Sequence, residues 1–325
     1  MPVMNFIQAL NSALRGELSR DERVVVFGED VGKAGGVFRV TEGLQREFGE
    51  ERVFDTPLCE QGIVGAAIGM AIAGLRPVAE IQFLDYILPA YDQIANELAT
   101  MRYRSGGETT SPVVVRAPCA GGIHGGHYHS QSTEAIFTHV PGLQVIMPSD
   151  PYDAKGLLAA AIRSEDPTIF LEPKKLYRSA KAEVPEEPYA LEIGKARLVR
   201  EGADVTVVSW GALVHTCAEA CRRAAEERGI ETELIDLRTL SPLDEPAILE
   251  SVRKTGRLVI VHEARRTSGF GAEIAAIVAE KALLFLEAPI RRVTGWDTHY
   301  PYALEEFYLP NVPRVLAAIE ETARF

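Results

Sequence analysis

The first half of the chain alternates short apolar runs with longer amphipathic segments. Residues 4–20 have helical spacing, because apolar side chains recur every four positions from Phe6 to Leu18. Residues 23–28 then form an apolar run that ends at a glycine, which is typical of a buried strand. The alternation continues, and it predicts helices at 60–74, 86–103, 132–139 and 150–163 and strands at 77–83, 112–116, 143–147 and 167–171.

A second alternation begins after residues 179–192, which are polar and rich in proline and therefore predict a linker. It predicts strands at 205–211, 232–237, 258–263 and 290–293. It also predicts helices at 213–228, 244–254, 269–285 and 312–323.

Short apolar strands that alternate with helices indicate parallel sheets covered by helices on both faces. The length of 325 residues exceeds what one ordinary core needs. We therefore predict an α/β fold of two domains with mainly parallel sheets. The predicted domains are residues 1–185 and 186–325, and the linker lies at about 179–192.

The net charge of −12 weighs against a nucleic-acid-binding surface. No apolar run reaches the roughly 18 residues that a membrane helix needs. The first residues lack the basic region and apolar core of a signal peptide. The four cysteines are scattered and form neither a disulfide framework nor a zinc motif, so we expect a cytoplasmic protein.

Polar residues follow three predicted strands of the first domain at the point where each strand ends. Glu29 follows one strand, the segment from Gln82 to Tyr86 follows another, and a loop rich in glycine and histidine follows a third. Ligands of open parallel sheets bind outside the carboxyl ends of the strands. The sequence therefore predicts one cleft that contains these residues and Glu60.

Glu60 begins a predicted helix that is otherwise almost entirely small or apolar through Gly74. A carboxylate against such a surface is poorly solvated and holds its proton more tightly than in water. It could exchange a proton near neutral pH with a ring nitrogen of a cofactor. The alternative is that Glu60 only complements the helix N-terminus.

The loop at 121–131 contains three of the seven histidines, His124, His127 and His129. Three histidines could bind zinc, but no obvious carboxylate or cysteine completes a site, so acid–base chemistry or substrate contact is favoured. A surface loop with incidental histidines is the remaining alternative. The glycines at 28–36 do not have dinucleotide-binding spacing, and no Walker motif occurs.

Taken together, these residues resemble the β subunit of the thiamine-diphosphate-dependent decarboxylating component of 2-oxo acid dehydrogenase complexes. The matching segments extend over essentially the whole chain. They include Gly28-Glu29-Asp30-Val31-Gly32, Asp55-Thr56-Pro57-Leu58-Cys59-Glu60, Arg102-Tyr103-Arg104-Ser105-Gly106-Gly107, His129-Ser130-Gln131, Asp236-Leu237-Arg238-Thr239-Leu240 and Pro301-Tyr302-Ala303.

The resemblance implies a pyrimidine-binding domain followed by a transketolase C-terminal-like domain. It implies that Glu60 bonds N1′ of the aminopyrimidine ring and so promotes loss of the C2 proton, and that His129 is the acid–base group for acyl transfer to a lipoyl group. The residues that it places at the cofactor are Glu29, Leu58, Cys59, Glu60, Gln82 and Tyr86. Those that it places at the substrate are Phe83, Leu84, Asp85, Tyr86, Tyr128, His129, Ser130 and Gln131. Backbone carbonyls at a possible potassium site correspond to Val113, Ala161, Ser164 and Asp166.

The sequence contains no Gly-Asp-Gly, the usual start of a magnesium-diphosphate motif in thiamine enzymes. The resemblance therefore implies an α subunit that holds Mg²⁺ and the diphosphate, an α₂β₂ tetramer, and docking on a lipoyl-bearing acyltransferase core. The segments at 83–87 and 127–131 favour a branched-chain substrate, 3-methyl-2-oxobutanoate, over pyruvate, and acetoin dehydrogenase β is a third alternative. A non-catalytic docking subunit is the alternative of another class, and the missing motif weighs against a self-contained transketolase-like enzyme.

Overall fold

The computed structural model describes all residues from Met1 to Phe325, and the chain packs as two units. The first unit consists of Met1–Ala120 and Ile136–Ile193. The second consists of Gly121–Ala135 and Gly194–Phe325. The loop segment from Gly121 therefore packs with the second half of the chain, although it lies inside the first half of the sequence.

Residues 1–193 contain eight strands and seven helices. The strands are Val3–Asn5 (β1), Val24–Gly28 (β2), Val53–Asp55 (β3), Arg76–Glu80 (β4), Val114–Cys119 (β5), Gln144–Ile146 (β6), Thr168–Pro173 (β7) and Lys181–Glu183 (β8). The helices are Phe6–Arg20 (α1), Leu44–Phe48 (α2), Glu60–Ile72 (α3), Met101–Arg104 (α4), Glu134–Thr138 (α5), Pro151–Arg163 (α6) and Leu176–Ser179 (α7).

Six strands of the first unit form a parallel sheet in the order β6-β7-β5-β4-β2-β3. Four of them, β2, β4, β5 and β7, are buried along their whole length, as expected for strands that helices cover on both faces. Helices α1 and α6 pack against each other. These observations confirm the predicted α/β class and the parallel sheet.

Residues 194–325 contain six strands and five helices. The strands are Arg197–Arg200 (β9), Val205–Ser209 (β10), Thr232–Asp236 (β11), Thr239–Ser241 (β12), Leu258–Arg265 (β13) and Arg291–Gly295 (β14). The helices are Leu213–Arg228 (α8), Glu245–Thr255 (α9), Gly271–Lys281 (α10), Glu305–Tyr308 (α11) and Val312–Ala323 (α12).

The sheet of the second unit has the order β14-β13-β10-β11-β9, and only β9 runs antiparallel to its neighbour. Helices α8 and α12 pack together and contribute apolar side chains to a core that includes Cys217, Cys221 and Ile319. The two cysteines are therefore small buried side chains, and all four cysteines of the chain are free thiols. No helix of the protein combines the length and apolar character needed to cross a bilayer.

Two stretches differ in detail from the prediction. The predicted helix at 86–103 is helical over most of its length but irregular, because a 3₁₀ turn at Leu88–Ala90 is followed by a π-helix at Gln93–Leu98 and by α4; Pro89, which has no backbone N–H, lies in this stretch. The segment 179–192 contains β8, which pairs with β1 in a two-stranded antiparallel ladder. The linker and the domain limits 1–185 and 186–325 stay a prediction.

Candidate active site

Three adjacent strands of the first unit end at the same edge of the sheet. Gly28, the last residue of β2, lies opposite Asp55 of β3 on one side and Glu80 of β4 on the other. Glu29 follows Gly28 directly, and α3 begins at Glu60 shortly after β3 ends. The parallel topology therefore brings together the segments that carry Glu29, Glu60 and Gln82.

Glu29 is a buried carboxylate whose hydrogen bonds are incomplete. Its side chain is 7% exposed, and its Oε1 has no hydrogen-bond partner. Burial raises the pKa of Glu29, and the negative charges of Glu60 and Asp30 raise it further. Buried polar atoms without a partner are rare in native proteins, so this oxygen points to a ligand.

Aromatic rings and an amide continue the edge beyond β4. The ring of Phe83 packs edge-on against Phe38 and Tyr86, with centroid separations of 5.5 Å and 5.7 Å. The Gln82 amide donates to a carboxylate oxygen of Asp30 at 3.1 Å. Leu84 and Asp85 lie with Tyr86 in one 3₁₀ turn, where Leu84 is buried. The rings of Phe83 and Tyr86 therefore form an apolar surface beside the amide of Gln82.

The start of α3 presents an apolar surface next to a carboxylate. Glu60 is half-buried, and Leu58 just before it is 78% exposed. Cys59 is also exposed. A β-carbon added at Gly65 or Gly69 would meet no atom outside the helix within 4 Å, so the face of α3 that carries these glycines is open. At 3.6 residues per turn this face points away from Glu60.

A buried ion cluster lies across β4, β5 and β7. The guanidinium of Arg116 donates to Glu80 at 2.7 Å and to both oxygens of Glu172 at 2.7 Å and 3.0 Å. The hydroxyl of Tyr177 also donates to Glu172 at 2.7 Å. Burial alone would lower the pKa of Arg116, but the carboxylates of Glu172 and Glu80 raise it above its ordinary value, so the guanidinium stays charged.

The predicted histidine loop lies in the second unit. His129 is half-buried, whereas His127 and Tyr128 are exposed with ring centroids 4.0 Å apart. The backbone N–H of His129 donates to the carbonyl of Gly126 at 3.4 Å, and the Gln131 amide donates to the carbonyl of His127 at 3.0 Å. The predicted site residues therefore divide between the units. Those from Glu29 to Tyr86 belong to the first, and Tyr128, His129, Ser130 and Gln131 belong to the second.

Sequence reasoning missed two carboxylates that bind the backbone of this loop. Glu263 accepts the N–H of Gly121 at 2.6 Å, and Glu305 accepts the N–H groups of Gly122 and His124, each at 3.1 Å. Glu263 lies near the end of β13, after a run of four apolar residues and His262, and Glu305 comes shortly after the Pro301-Tyr302-Ala303 segment. In the sequence, only these two positions could have indicated that the carboxylates bind the loop.

No group of three or more histidine, cysteine, aspartate or glutamate side chains is arranged to hold a metal ion. At the potassium positions, the carbonyl of Val113 accepts the N–H of Thr168 at 2.9 Å, and the carbonyl of Ser164 accepts the Arg76 guanidinium at 3.0 Å. Asp166 forms an ion pair with Arg102 at 2.8 Å. A potassium site at Val113, Ala161, Ser164 and Asp166 stays a prediction.

Comparisons with known proteins give matches over almost the entire chain. The family profile of the transketolase pyrimidine-binding domain matches residues 3–180, and that of the transketolase C-terminal domain matches residues 194–315. The chain is 53% identical to the mitochondrial 2-oxoisovalerate dehydrogenase subunit beta of Dictyostelium discoideum, over 98% of this chain and 86% of the relative. It is 53% identical to the 2-oxoisovalerate dehydrogenase subunit beta of Pseudomonas aeruginosa, over 98% and 94%.

A third relative carries a different name. The pyruvate dehydrogenase E1 component subunit beta of Staphylococcus epidermidis is 51% identical over the full length of both chains. Among solved structures, a split-gene transketolase described as an inactive beta4 tetramer aligns with a TM-score of 0.81 and 25% identity, over 99% of this chain and 98% of that one.

Proposed function

Because this chain belongs to the family of 2-oxo acid dehydrogenase E1 β subunits, with a transketolase pyrimidine-binding domain and a transketolase C-terminal domain, we propose that it is one half of a thiamine-diphosphate-dependent enzyme. With an α subunit it catalyses oxidative decarboxylation of a 2-oxo acid and transfer of the acyl group to a lipoyl group. The observation that carries this proposal is the pair of carboxylates, Glu29 and Glu60, at the carboxyl edge of the sheet.

The residues at this edge fit the pyrimidine end of thiamine diphosphate. Bound thiamine diphosphate supplies an electron sink for the loss of CO₂. Glu60 holds or accepts a proton at a ring nitrogen, and the buried Oε1 of Glu29 provides a second polar contact. The exposed Leu58 packs against the ring and excludes water from it.

The proposed substrate contacts include Phe83 and Tyr86 of the first unit and His129 of the second. Phe83 and Tyr86 contact the apolar part of the substrate. His129 moves a proton during acyl transfer to the lipoyl group. Leu84, Asp85, Tyr128, Ser130 and Gln131 complete the proposed substrate contacts.

The α subunit completes the site. The chain has no Gly-Asp-Gly, so we assign Mg²⁺ and the diphosphate to the α subunit in an α₂β₂ tetramer. The tetramer docks on a lipoyl-bearing acyltransferase core. The four free cysteines of this chain suit a reducing compartment such as the cytoplasm.

We propose a branched-chain substrate, 3-methyl-2-oxobutanoate. The segments at 83–87 and 127–131 support this choice, and two relatives at 53% identity are named for 2-oxoisovalerate. Pyruvate is the second candidate because a relative at 51% identity is named for it. Acetoin is a third candidate substrate class, and a non-catalytic docking subunit remains the alternative from another class.

One experiment separates these candidates. The chain is purified with its α subunit, and kcat/KM is measured for 3-methyl-2-oxobutanoate, pyruvate and acetoin, with each subunit alone as the control. We expect activity only with both subunits and a preference of tenfold or more for the branched-chain acid, since each buried methyl group contributes about 1–3 kcal/mol to discrimination. Equal or higher kcat/KM for pyruvate would assign the chain to the pyruvate class, and no turnover of any substrate would favour the docking subunit.

A further inference from the structure

Two buried carboxylates of the second unit bind the backbone of the loop that carries His129. Glu263 is 8% exposed and accepts the N–H of Gly121. Glu305 is 3% exposed and uses both of its oxygens, one for the N–H of Gly122 and the other for the N–H of His124. Three backbone N–H groups within four residues therefore donate hydrogen bonds to two carboxylates.

The backbone conformation of the loop turns these donors toward the carboxylates. Gly122, His124 and Gly126 have φ values of +93°, +53° and +64°. Residues that alternate between left-handed and right-handed conformations form a concave nest of N–H groups that binds anions. His124 is not a glycine, so its left-handed conformation costs free energy and needs support from outside the loop. Glu305 supplies that support.

The segment whose N–H groups bond to Glu305, residues 122–124, lies next to His129 both in sequence and in space. A β-carbon added at Gly125 would lie 2.6 Å from the β-carbon of His129, so the two residues are in direct contact. The N–H of His129 also donates to the carbonyl of Gly126. A displacement of residues 122–124 therefore moves the backbone that fixes the His129 side chain.

Gly121, at the start of the loop, has no free space on the side that faces Tyr300. A β-carbon at Gly121 would overlap the hydroxyl of Tyr300, which is buried beside Glu263. Gly121 therefore packs against Tyr300, and the two carboxylates bond the first residues of the loop.

We infer that Glu305, assisted by Glu263, is a positioning residue that fixes the loop and thereby places His129 for acyl transfer. This inference rests on the proposed function, because acyl transfer is the step that we assign to His129. Glu305 itself contacts backbone N–H groups and takes no part in the chemistry.

The test compares Glu305→Gln with Glu306→Gln in the α₂β₂ enzyme. Glutamine keeps the shape of Glu305 but offers one acceptor instead of two, so one N–H loses its partner. Glu306 is the exposed neighbour on α11 and serves as the matched control. We expect Glu305→Gln to lower the rate of lipoyl acylation about tenfold, the effect of one lost hydrogen bond to a charged group. Decarboxylation with an artificial electron acceptor should stay within about twofold, because that assay does not need acyl transfer by His129.

Amide hydrogen exchange provides a second readout that does not depend on activity. The amides of Gly122 and His124 should exchange faster in Glu305→Gln than in the wild type, and Glu306→Gln should leave them unchanged. Glu263→Gln should give the same pattern with a smaller effect, because it affects one of the three bonds. If these amides exchange at the same rate in Glu305→Gln as in the wild type, or if both catalytic rates fall equally, the inference is overturned.

The two proposals can fail separately. If the wild-type tetramer decarboxylates no 2-oxo acid, the proposed function fails, while hydrogen exchange still reports whether Glu305 holds the loop. If the wild type is active and Glu305→Gln acylates the lipoyl group at the wild-type rate, only the positioning role fails.

Discussion

Glu172 and Glu29 are both buried carboxylates of the first unit, and they differ in what surrounds them. Glu172 accepts two bonds from Arg116 and one from Tyr177. Glu29 has an oxygen with no partner, and its nearest charges, Glu60 and Asp30, are negative. Burial by itself therefore does not mark a functional carboxylate, and we propose that incomplete hydrogen bonding beside a like charge marks Glu29 as one.

Glu305 of the second unit represents a third arrangement. Its carboxylate is buried and accepts two neutral backbone N–H groups. Glu172 joins neighbouring strands, and we propose that Glu29 contacts a ligand and that Glu305 shapes a loop. Four substitutions of ionisable residues test these distinctions, in order of decreasing expected effect.

Glu60→Gln tests whether the carboxylates at the sheet edge are catalytic. We expect exchange of the C2 proton of bound thiamine diphosphate to slow by about 10³–10⁴-fold, the upper part of the range for an acid–base group. The amide has the same shape but cannot take up the proton. NMR of the C2 proton in the α₂β₂ enzyme measures the effect, and exchange at the wild-type rate would remove Glu60 from its proposed role. The pKa of Glu29 should also fall in this variant, because a neighbouring negative charge is gone.

Arg116→Met tests the role of the satisfied cluster. Removal of the guanidinium leaves Glu80 and Glu172 buried without their counter-charge, so the free energy of unfolding should fall by about 3–5 kcal/mol. The control is Arg102→Met, which removes an ion pair with side chains 45% and 46% exposed and should cost less than about 1 kcal/mol. Denaturant unfolding measures both, and similar losses in the two variants would contradict a structural role for the buried cluster.

His262→Gln extends the comparison to a buried base. Burial, together with the positive charge of Arg292, lowers the pKa of His262 to about 3 from an ordinary value of 6.5. The unfolded chain therefore binds a proton below pH 6.5 that the folded chain does not, so wild-type stability is lost as the pH falls from 6.5 toward 3. At pH 5 this loss is about 2 kcal/mol, from 1.36 kcal/mol per pKa unit. The difference in stability between pH 7 and pH 5 should be smaller in the variant by this amount, and parallel curves would contradict the prediction.

Glu29→Gln should have the smallest effect, and it should be stabilising. Because the pKa of Glu29 is raised, the wild type is fully stabilised only below the ordinary value of 4.5 and loses stability as the pH rises through the folded pKa. The variant lacks this loss, so it should be more stable at pH 7, and the difference should vanish below pH 4.5. Glu172→Gln, the matched substitution in the satisfied cluster, should be destabilising at pH 7. Melting temperatures across this pH range distinguish the two, and a destabilised Glu29→Gln would show that its carboxylate is already satisfied.

The sequence predicted the elements whose pattern is local. The apolar spacing from Phe6 to Leu18 predicts α1, and the apolar run at 23–28 predicts β2, because both signals depend only on neighbouring residues. The same local reasoning predicted a helix at 86–103 but not its irregularity, because the chain there combines a 3₁₀ turn that contains Pro89, a π-helix and α4. Residues 197–200, which form β9, were not predicted as a strand.

The sequence predicted that three segments of the candidate site lie close together, because the topology of the sheet alone determines this proximity. Strand ends in a parallel sheet share an edge, so the proximity of the Glu29, Glu60 and Gln82 segments follows from the order of the elements. The bonds from Glu263 and Glu305 to the histidine loop join residues 142 to 183 positions apart. No periodicity or motif spacing relates such residues, and only the packing of the second unit reveals them.

The long separation between the histidine loop and Glu305 has a consequence for synthesis. Gly122 leaves the ribosome 183 residues before the carboxylate that binds its N–H exists. At 5–20 residues per second, that interval is about 9–37 s. During this time Gly122 and His124 have no native carboxylate for their N–H groups, and Gly121 gains its own, Glu263, 142 residues after its synthesis. A binding protein or an early stop within residues 194–305 would therefore act on a chain in which strands β2 to β7 have all been synthesised, while the loop that carries His129 still lacks its bonds to Glu305.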